Sequence, residues 1–137
     1  MAVQRNTAQR ELVLSIVKSR RDHPSADLIH LDARAADGRI SRGTVYRNLS
    51  LLSDNGEIMH VKVPGVDRYD WRTDLHYHLL CTGCGAVEDA PLTYRGELDS
   101  ETENDTGYLI TRHRAVFEGL CPKCRKAAEK SAGTSRP

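Results

Sequence analysis

Four cysteines stand in two pairs, Cys81-Thr82-Gly83-Cys84 and Cys121-Pro122-Lys123-Cys124, with 36 residues between the pairs and none left over. A C-x2-C turn lets two thiolates converge on one ion at about 2.3 Å, and two such turns complete the closed tetrahedral shell of a structural zinc site. A closed shell leaves no catalytic position. The competing reading is a set of free or redox-active dithiols. Against it, thioredoxin-like chemistry needs one exposed pair at a helix N-terminus, whereas each pair here is expected to end a strand or strand-like run and to clip two remote β segments together.

Three of the six histidines, His23, His76 and His78, suggest a second and different metal site. On a strand, residues 76 and 78 share one face while Leu75, Tyr77 and Leu79 share the other. Asp70 precedes the histidines across a short polar break, and Asp89 lies on the return strand that the Cys81–Cys84 turn folds back against them. Three imidazoles and two carboxylates form a mixed nitrogen and oxygen set suited to Fe(II), Mn(II), Zn(II) or Ni(II), with a coordination position left open. The alternative makes His76-Tyr77-His78 a surface pattern and leaves both aspartates solvated. His30, His60 and His113 read as ordinary surface or core residues.

These groups need elements to hold them. Leu12, Val13, Ile16 and Val17 recur at helical spacing after Thr7, a plausible cap, and predict a helix ending near Arg21. Pro24 breaks it and Ser25 caps the next, which runs toward Gly38. Ser41 caps a third helix in which Val45, Leu49 and Leu52 share a face, while Arg42, Tyr46 and Arg47 turn away from it. From Glu57 to Val63, a Pro64-Gly65 turn and Val66 to Trp71, the pattern becomes a hairpin.

Three helices and a hairpin predict a winged helix-turn-helix. Its third helix places Thr44, Tyr46, Arg47 and Arg42 near the first two turns, where they can meet bases and phosphates of a major groove. The bland alternative is an amphipathic helix with a solvated charged face.

After Arg72-Thr73-Asp74 a second module begins, with a strand from His76 to Cys81 and a return strand from Gly85 to Asp89. Glu97 to Asp105 is acidic, with Leu98 its only apolar residue, so a helix there offers a thin apolar face. Tyr108–Ile110 and Ala115–Phe117 read as further strands. The expected division is a DNA-binding domain over 1–72, a zinc-stapled domain over 73–126 and a disordered tail over 127–137.

Composition sets outer limits. Hydrophobic residues make up 39% and charged residues 28% of 137 residues, a globular balance, and no window reaches the roughly 18 apolar residues of a membrane span. Without a secretory h-region near the N-terminus, the cytoplasm is the expected compartment. Aromatic residues are only 5%, so the core is thin. A bound metal contributing on the order of 10 kcal/mol is the staple such a core calls for. Residues 1–72 carry 12 basic against 9 acidic side chains, and residues 73–137 carry 8 against 10, which leans the first half toward an anionic partner.

Thr44-Val45-Tyr46-Arg47-Asn48-Leu49, then His76-Tyr77-His78-Leu79-Leu80-Cys81-Thr82-Gly83-Cys84-Gly85, then Cys121-Pro122-Lys123-Cys124 together resemble the ferric uptake regulator family of metal-dependent repressors. The likeness spans about residues 5 to 126. It implies an α+β chain: an N-terminal winged helix-turn-helix domain followed by a small α/β dimerisation domain, acting as a homodimer on double-stranded operator DNA.

It further implies that Cys81, Cys84, Cys121 and Cys124 hold structural zinc. His23, Asp70, His76, His78 and Asp89 match the regulatory site for Fe(II) or Mn(II). Aspartate at both 70 and 89 looks like the peroxide-sensing branch, in which Fe(II) chemistry oxidises ligand histidines matching His23 and His76. The alternative is an iron-uptake regulator sensing Fe(II) availability. A further family site is expected to be absent, since only His113 matches its ligands while Leu75 and Tyr77 fill the other positions. Arg47 stands where the best-known peroxide regulators have asparagine.

A zinc-ribbon redox or hydrolytic enzyme is the rival from another class. Every cysteine is committed, no nucleophile is left near the histidines, and no HExxH pattern occurs, so neither an enzyme nor a small-molecule substrate is expected.

Overall fold

The computed structural model describes the backbone of residues 2–132 and the side chains of residues 7–131. Within it the chain divides between Asp74 and Leu75 into two compact units. The first contains α1 (Ala2–Ser19), α2 (Ala26–Ala36), α3 (Arg42–Asp54), β1 (Met59–Val61) and β2 (Arg68–Asp70).

Local chemistry accounts for most of these boundaries. The hydroxyl of Ser25 accepts from the Leu28 amide and that of Ser41 from the Thr44 amide, each satisfying a donor that a helix start leaves open. Gly56, with φ of +77°, supplies the left-handed step after α3 that a residue with a Cβ rarely takes. One boundary differs from the sequence reading: α1 begins at Ala2 rather than being capped at Thr7, because no helix breaker separates Ala2 from Thr7.

Val13 and Val17 of α1, Ile29 and Ala33 of α2, and Val45, Leu49 and Leu52 of α3 are fully buried and form one cluster. Tyr69 and Ile58 close it from the hairpin side. The hairpin is antiparallel, with Met59 opposite Asp70 and Val61 opposite Arg68. Across it, His60 Nε2 lies 2.8 Å from Asp67 Oδ2, and the His60 ring stacks on Tyr69. This is the winged helix-turn-helix.

The second unit contains β3 (Tyr77–Cys81), β4 (Val87–Ala90), α4 (Gly96–Thr106), β5 (Val116–Gly119) and α5 (Pro122–Ala132). β3 is central, antiparallel to β4 and parallel to β5. Among the described residues of this unit the buried apolar side chains are few: Tyr77, Leu80, Cys81, Val87 and Ala90. The acidic helix α4 buries nothing, as its single leucine foretold.

Two expectations need correction. Tyr108–Ile110 is not a strand: the Ile110 amide bonds to the Glu103 side chain instead of a ladder, and Tyr108 and Leu109 are 72% and 84% exposed. Residues 127–132, expected to be disordered, continue α5 as a helix. Ala127, Ala128, Glu129 and Lys130 are strong helix formers, and Arg125 pairs with Glu129 one turn on. The rest of the expected tail, 133–137, lies outside the described residues.

The core of the first unit predicts its own sensitivity. Leu49→Ala should lower unfolding free energy by about 2–5 kcal/mol, through lost transfer energy and an unfilled cavity. Urea titration followed by circular dichroism measures it; a loss below about 1 kcal/mol would mean Leu49 is not central to that core.

Candidate metal centres and nucleic-acid interface

The four cysteine sulfurs all lie within 4.8 Å of one another. A zinc tetrahedron with bonds near 2.3 Å places its sulfurs about 3.8 Å apart, so the cluster closes on such an ion with little movement. Cys81 ends β3 and Cys84 follows in its turn, while Cys121 follows β5 and Cys124 lies in the first turn of α5. The second pair therefore opens a helix as well as following a strand, which the sequence reading did not anticipate. Pro122 sets this start, where its missing N–H leaves nothing unsatisfied.

Backbone amides converge on the sulfurs. Cys81 Sγ accepts from the amides of Cys121 at 3.3 Å and Cys84 at 3.4 Å, and Cys121 Sγ accepts from the Cys124 amide at 3.4 Å. Led by the Cys121 amide, these bonds pull the Cys81 thiol down to about 6. Hydrogen bonding to the other sulfurs, Cys121 first, pushes Cys124 up to about 12. Four like charges at this spacing repel, so full ionisation calls for a dication among them. Gly83 leaves the space the cage needs: a Cβ there would meet Cys124 Sγ at 3.1 Å and Leu120 Cδ2 at 3.2 Å.

The nitrogen and oxygen ligands assemble as two sets, one in each unit. In the first, His23 Nε2 lies 3.1 Å from Asp70 Oδ2, both side chains buried, and Asp70 Oδ1 accepts from the Arg72 amide at 3.0 Å. His23 has φ of +53°, a left-handed backbone uncommon outside glycine and the sort of strain that accumulates at functional positions. Pairing with β2 holds it there. The Tyr69 amide donates to Pro24 O at 2.9 Å, Ser25 bridges Arg68, and Arg68 Nη1 donates to His23 O at 3.2 Å.

In the second unit, Asp89 Oδ1 lies 3.1 Å from His76 Nε2 and 3.6 Å from His78 Nε2. Register explains this: His78 is directly opposite Asp89 across β3 and β4. His76, just before β3, brings its ring centroid to 4.5 Å from that of His78. Buried imidazole nitrogens sharing a carboxylate are a donor set that fits Fe(II), Mn(II) or Zn(II).

On the outward face of α3 the four candidate DNA contacts fall into two pairs, Arg42 with Tyr46 and Arg47 with Thr44. Arg42 Nη2 lies 3.0 Å from Asp27 Oδ1 and donates to the Tyr46 hydroxyl at 3.3 Å, its guanidinium over the Tyr46 ring. Arg47 Nη2 donates to Thr44 Oγ1 at 3.1 Å, which also receives the Ser41 hydroxyl at 2.9 Å. Arg42, Tyr46 and Arg47 are exposed, leaving their polar edges available to a ligand.

A group that sequence reading passed over lies on the other face of β3. The Tyr77 hydroxyl lies 2.6 Å from His113 Nε2, and His113 Nδ1 lies 2.7 Å from Asp99 Oδ1. Tyr94 donates to the remaining Asp99 oxygen. His113 was read as ordinary. The available signal was Tyr77 itself, a polar residue at a β3 position facing away from His76 and His78.

A model of the ferric uptake regulator family matches residues 2–117. The chain belongs to the ferric uptake regulator family. Among its relatives, the peroxide-responsive repressor PerR of Staphylococcus aureus (strain USA300) is 30% identical over 122 residues, covering 88% of this chain and 82% of that protein. The Campylobacter jejuni peroxide stress regulator is 30% identical, with a TM-score of 0.73 over 88% of this chain and 92% of its own. A zinc-bound manganese uptake regulator is 26% identical, with a TM-score of 0.57 over 82% of this chain and 87% of that one. As a member of this family the chain is of the transcriptional-regulator class, and no described helix is long and apolar enough to cross a membrane.

The cage makes a selective prediction. Cys124→Ser should abolish amide protection in β3 and β5 while leaving α1–α3 protected, since the first unit has its own core. Hydrogen exchange read by mass spectrometry checks it; unchanged protection in β3 would mean the thiolates are dispensable.

Proposed function

We propose that this protein is a cytoplasmic, dimeric, metal-dependent repressor that binds double-stranded operator DNA and is released by peroxide. It acts as a regulator and not as an enzyme. The observation that carries this is the pair of sets, His23 with Asp70 and His76 and His78 with the half-buried Asp89, in which the three imidazoles and Asp70 are buried and arranged as ligands. The relatives at 30% identity named for peroxide response support the choice of stimulus.

In this reading Cys81, Cys84, Cys121 and Cys124 hold zinc as a permanent staple. His23, Asp70, His76, His78 and Asp89 would hold one Fe(II) or Mn(II), favouring one arrangement of the two units over others by differential affinity. Bound there, Fe(II) would supply electron-transfer chemistry toward peroxide. His23 and His76 would each offer an imidazole C–H into which one peroxide oxygen is inserted, the carbon's hydrogen moving to a ring nitrogen and the other oxygen leaving as water. An oxidised imidazole is a poorer donor, so affinity falls and the DNA-binding arrangement is lost.

Ser41, Thr44 and Arg47 hold one another at the start of α3, limiting the side-chain entropy lost when Arg47 pairs with a guanine edge or a phosphate. Arg42 and Tyr46 brace each other beside them. Dimerisation through the second unit has support in its exposed Leu79, Phe117, Leu120, Tyr108 and Leu109, which isolated chains rarely leave open together.

Duplex binding followed by fluorescence anisotropy tests the reading. Mn(II) or Fe(II) should tighten operator binding, and peroxide should release only the Fe(II) form, with one added oxygen on peptides containing His23 or His76. Release without that mass change would favour sensing of Fe(II) availability instead. Arg47→Ala should weaken binding by about 1–3 kcal/mol.

A further inference from the structure

Tyr77, His113, Asp99 and Tyr94 form a closed relay in the second unit that none of the roles above uses. Its protonation pattern follows from geometry. Asp99 is held below its ordinary carboxyl value, chiefly by the Tyr94 hydroxyl and then by His113, so it is an acceptor only. His113 Nδ1, 2.7 Å from Asp99 Oδ1, must then carry the ring proton. In the neutral ring Nε2 then keeps a lone pair, and Tyr77 is the donor across the 2.6 Å contact. The Arg95 amide donates to the same phenolic oxygen at 2.9 Å.

We propose that Tyr77 is a redox site: it yields one electron to a strong one-electron oxidant while its hydroxyl proton crosses to His113 Nε2. The O–H bond of Tyr77 breaks and an N–H bond forms on His113, leaving a neutral phenoxyl radical and an imidazolium. With a hydroxyl radical as oxidant, the electron converts it to hydroxide, which balances the charge left on His113.

Every group in the product keeps a partner. The imidazolium donates to Asp99 through Nδ1 and back to the phenoxyl oxygen through Nε2, and the Arg95 amide still donates to that oxygen. A phenol without such a base must form a high-energy radical cation or release its proton to distant water. Tyr77 avoids both. At 4% exposure, and packed by the rings of Phe117, Tyr94 and His113, its radical is shielded from solvent and from other chains.

Placement gives the site its meaning. Tyr77 lies between His76 and His78 in the chain, so it stands beside the chemistry proposed above, where a one-electron oxidant would arise. Only the natural oxidant rests on that reading; the relay itself does not.

The test uses the zinc-loaded full chain without iron, carrying Tyr46→Phe, Trp71→Phe and Tyr108→Phe to remove exposed competitors. Photogenerated ruthenium(III) tris-bipyridine is the oxidant, with freeze-quench electron paramagnetic resonance as the readout. A neutral tyrosyl signal is expected, with loss of most of it on adding Tyr77→Phe. Similar loss is expected with His113→Gln, which keeps a hydrogen-bond acceptor but no base. Circular dichroism confirms that both variants are folded. An unchanged signal in Tyr77→Phe would place the radical on Tyr69 or Tyr94 and overturn the proposal, as would an undiminished signal in His113→Gln. Since neither iron nor DNA is present, failure here leaves the repressor reading standing, and failure of that reading leaves this result interpretable.

Discussion

Convergence of four sulfurs from two distant stretches of chain is the constraint on which the second unit depends. Burying Leu80, Val87 and Ala90 with Tyr77 and Cys81 removes too little apolar surface to offset the ordering of some sixty residues by itself. The sulfur cluster joins the end of β3 to the start of α5 directly beyond β5, so the parallel pairing of β3 with β5 is closed at one end by the same atoms. Parallel pairs need a long crossover, and here the crossover includes α4, which buries nothing. A metal-sized clasp replaces the apolar packing that such a connection ordinarily provides.

That clasp fixes a strand with two chemically different faces. His76 and His78 turn to Asp89 on one side, while Tyr77 turns to His113 on the other. Alternation along a strand makes this division automatic, and a one-residue slip would exchange the two sets. The antiparallel register with β4, in which His78 faces Asp89, therefore decides which side chains the candidate site receives. In the first unit the left-handed backbone of His23 has the same standing, since pairing of Pro24 and Ser25 with β2 holds the imidazole against Asp70.

Much of this was legible in the residues. Ser25 and Ser41 marked helix starts, the Pro64-Gly65 turn marked the wing, and the Cys-x2-Cys spacing marked the cage. Each signal is local, because capping and turn chemistry act over a few residues. The relay of Tyr77, His113, Asp99 and Tyr94 was not legible, because its members are spread over 36 residues and meet only after β3, α4 and the segment before β5 are in place. Tyr108–Ile110 misled for the opposite reason: β propensity states what a segment can do, and a strand still needs a partner. The end of α5 was misread because a charged, alanine-rich segment resembles a solvated tail as readily as an exposed helix.

The central claim is a sulfur-only clasp, and X-ray absorption at the zinc edge of the purified protein tests it most directly. One zinc per chain with a shell of four sulfurs at about 2.3 Å is the predicted result. A shell containing nitrogen or oxygen donors, or protein that stays folded with no zinc bound, would contradict the account.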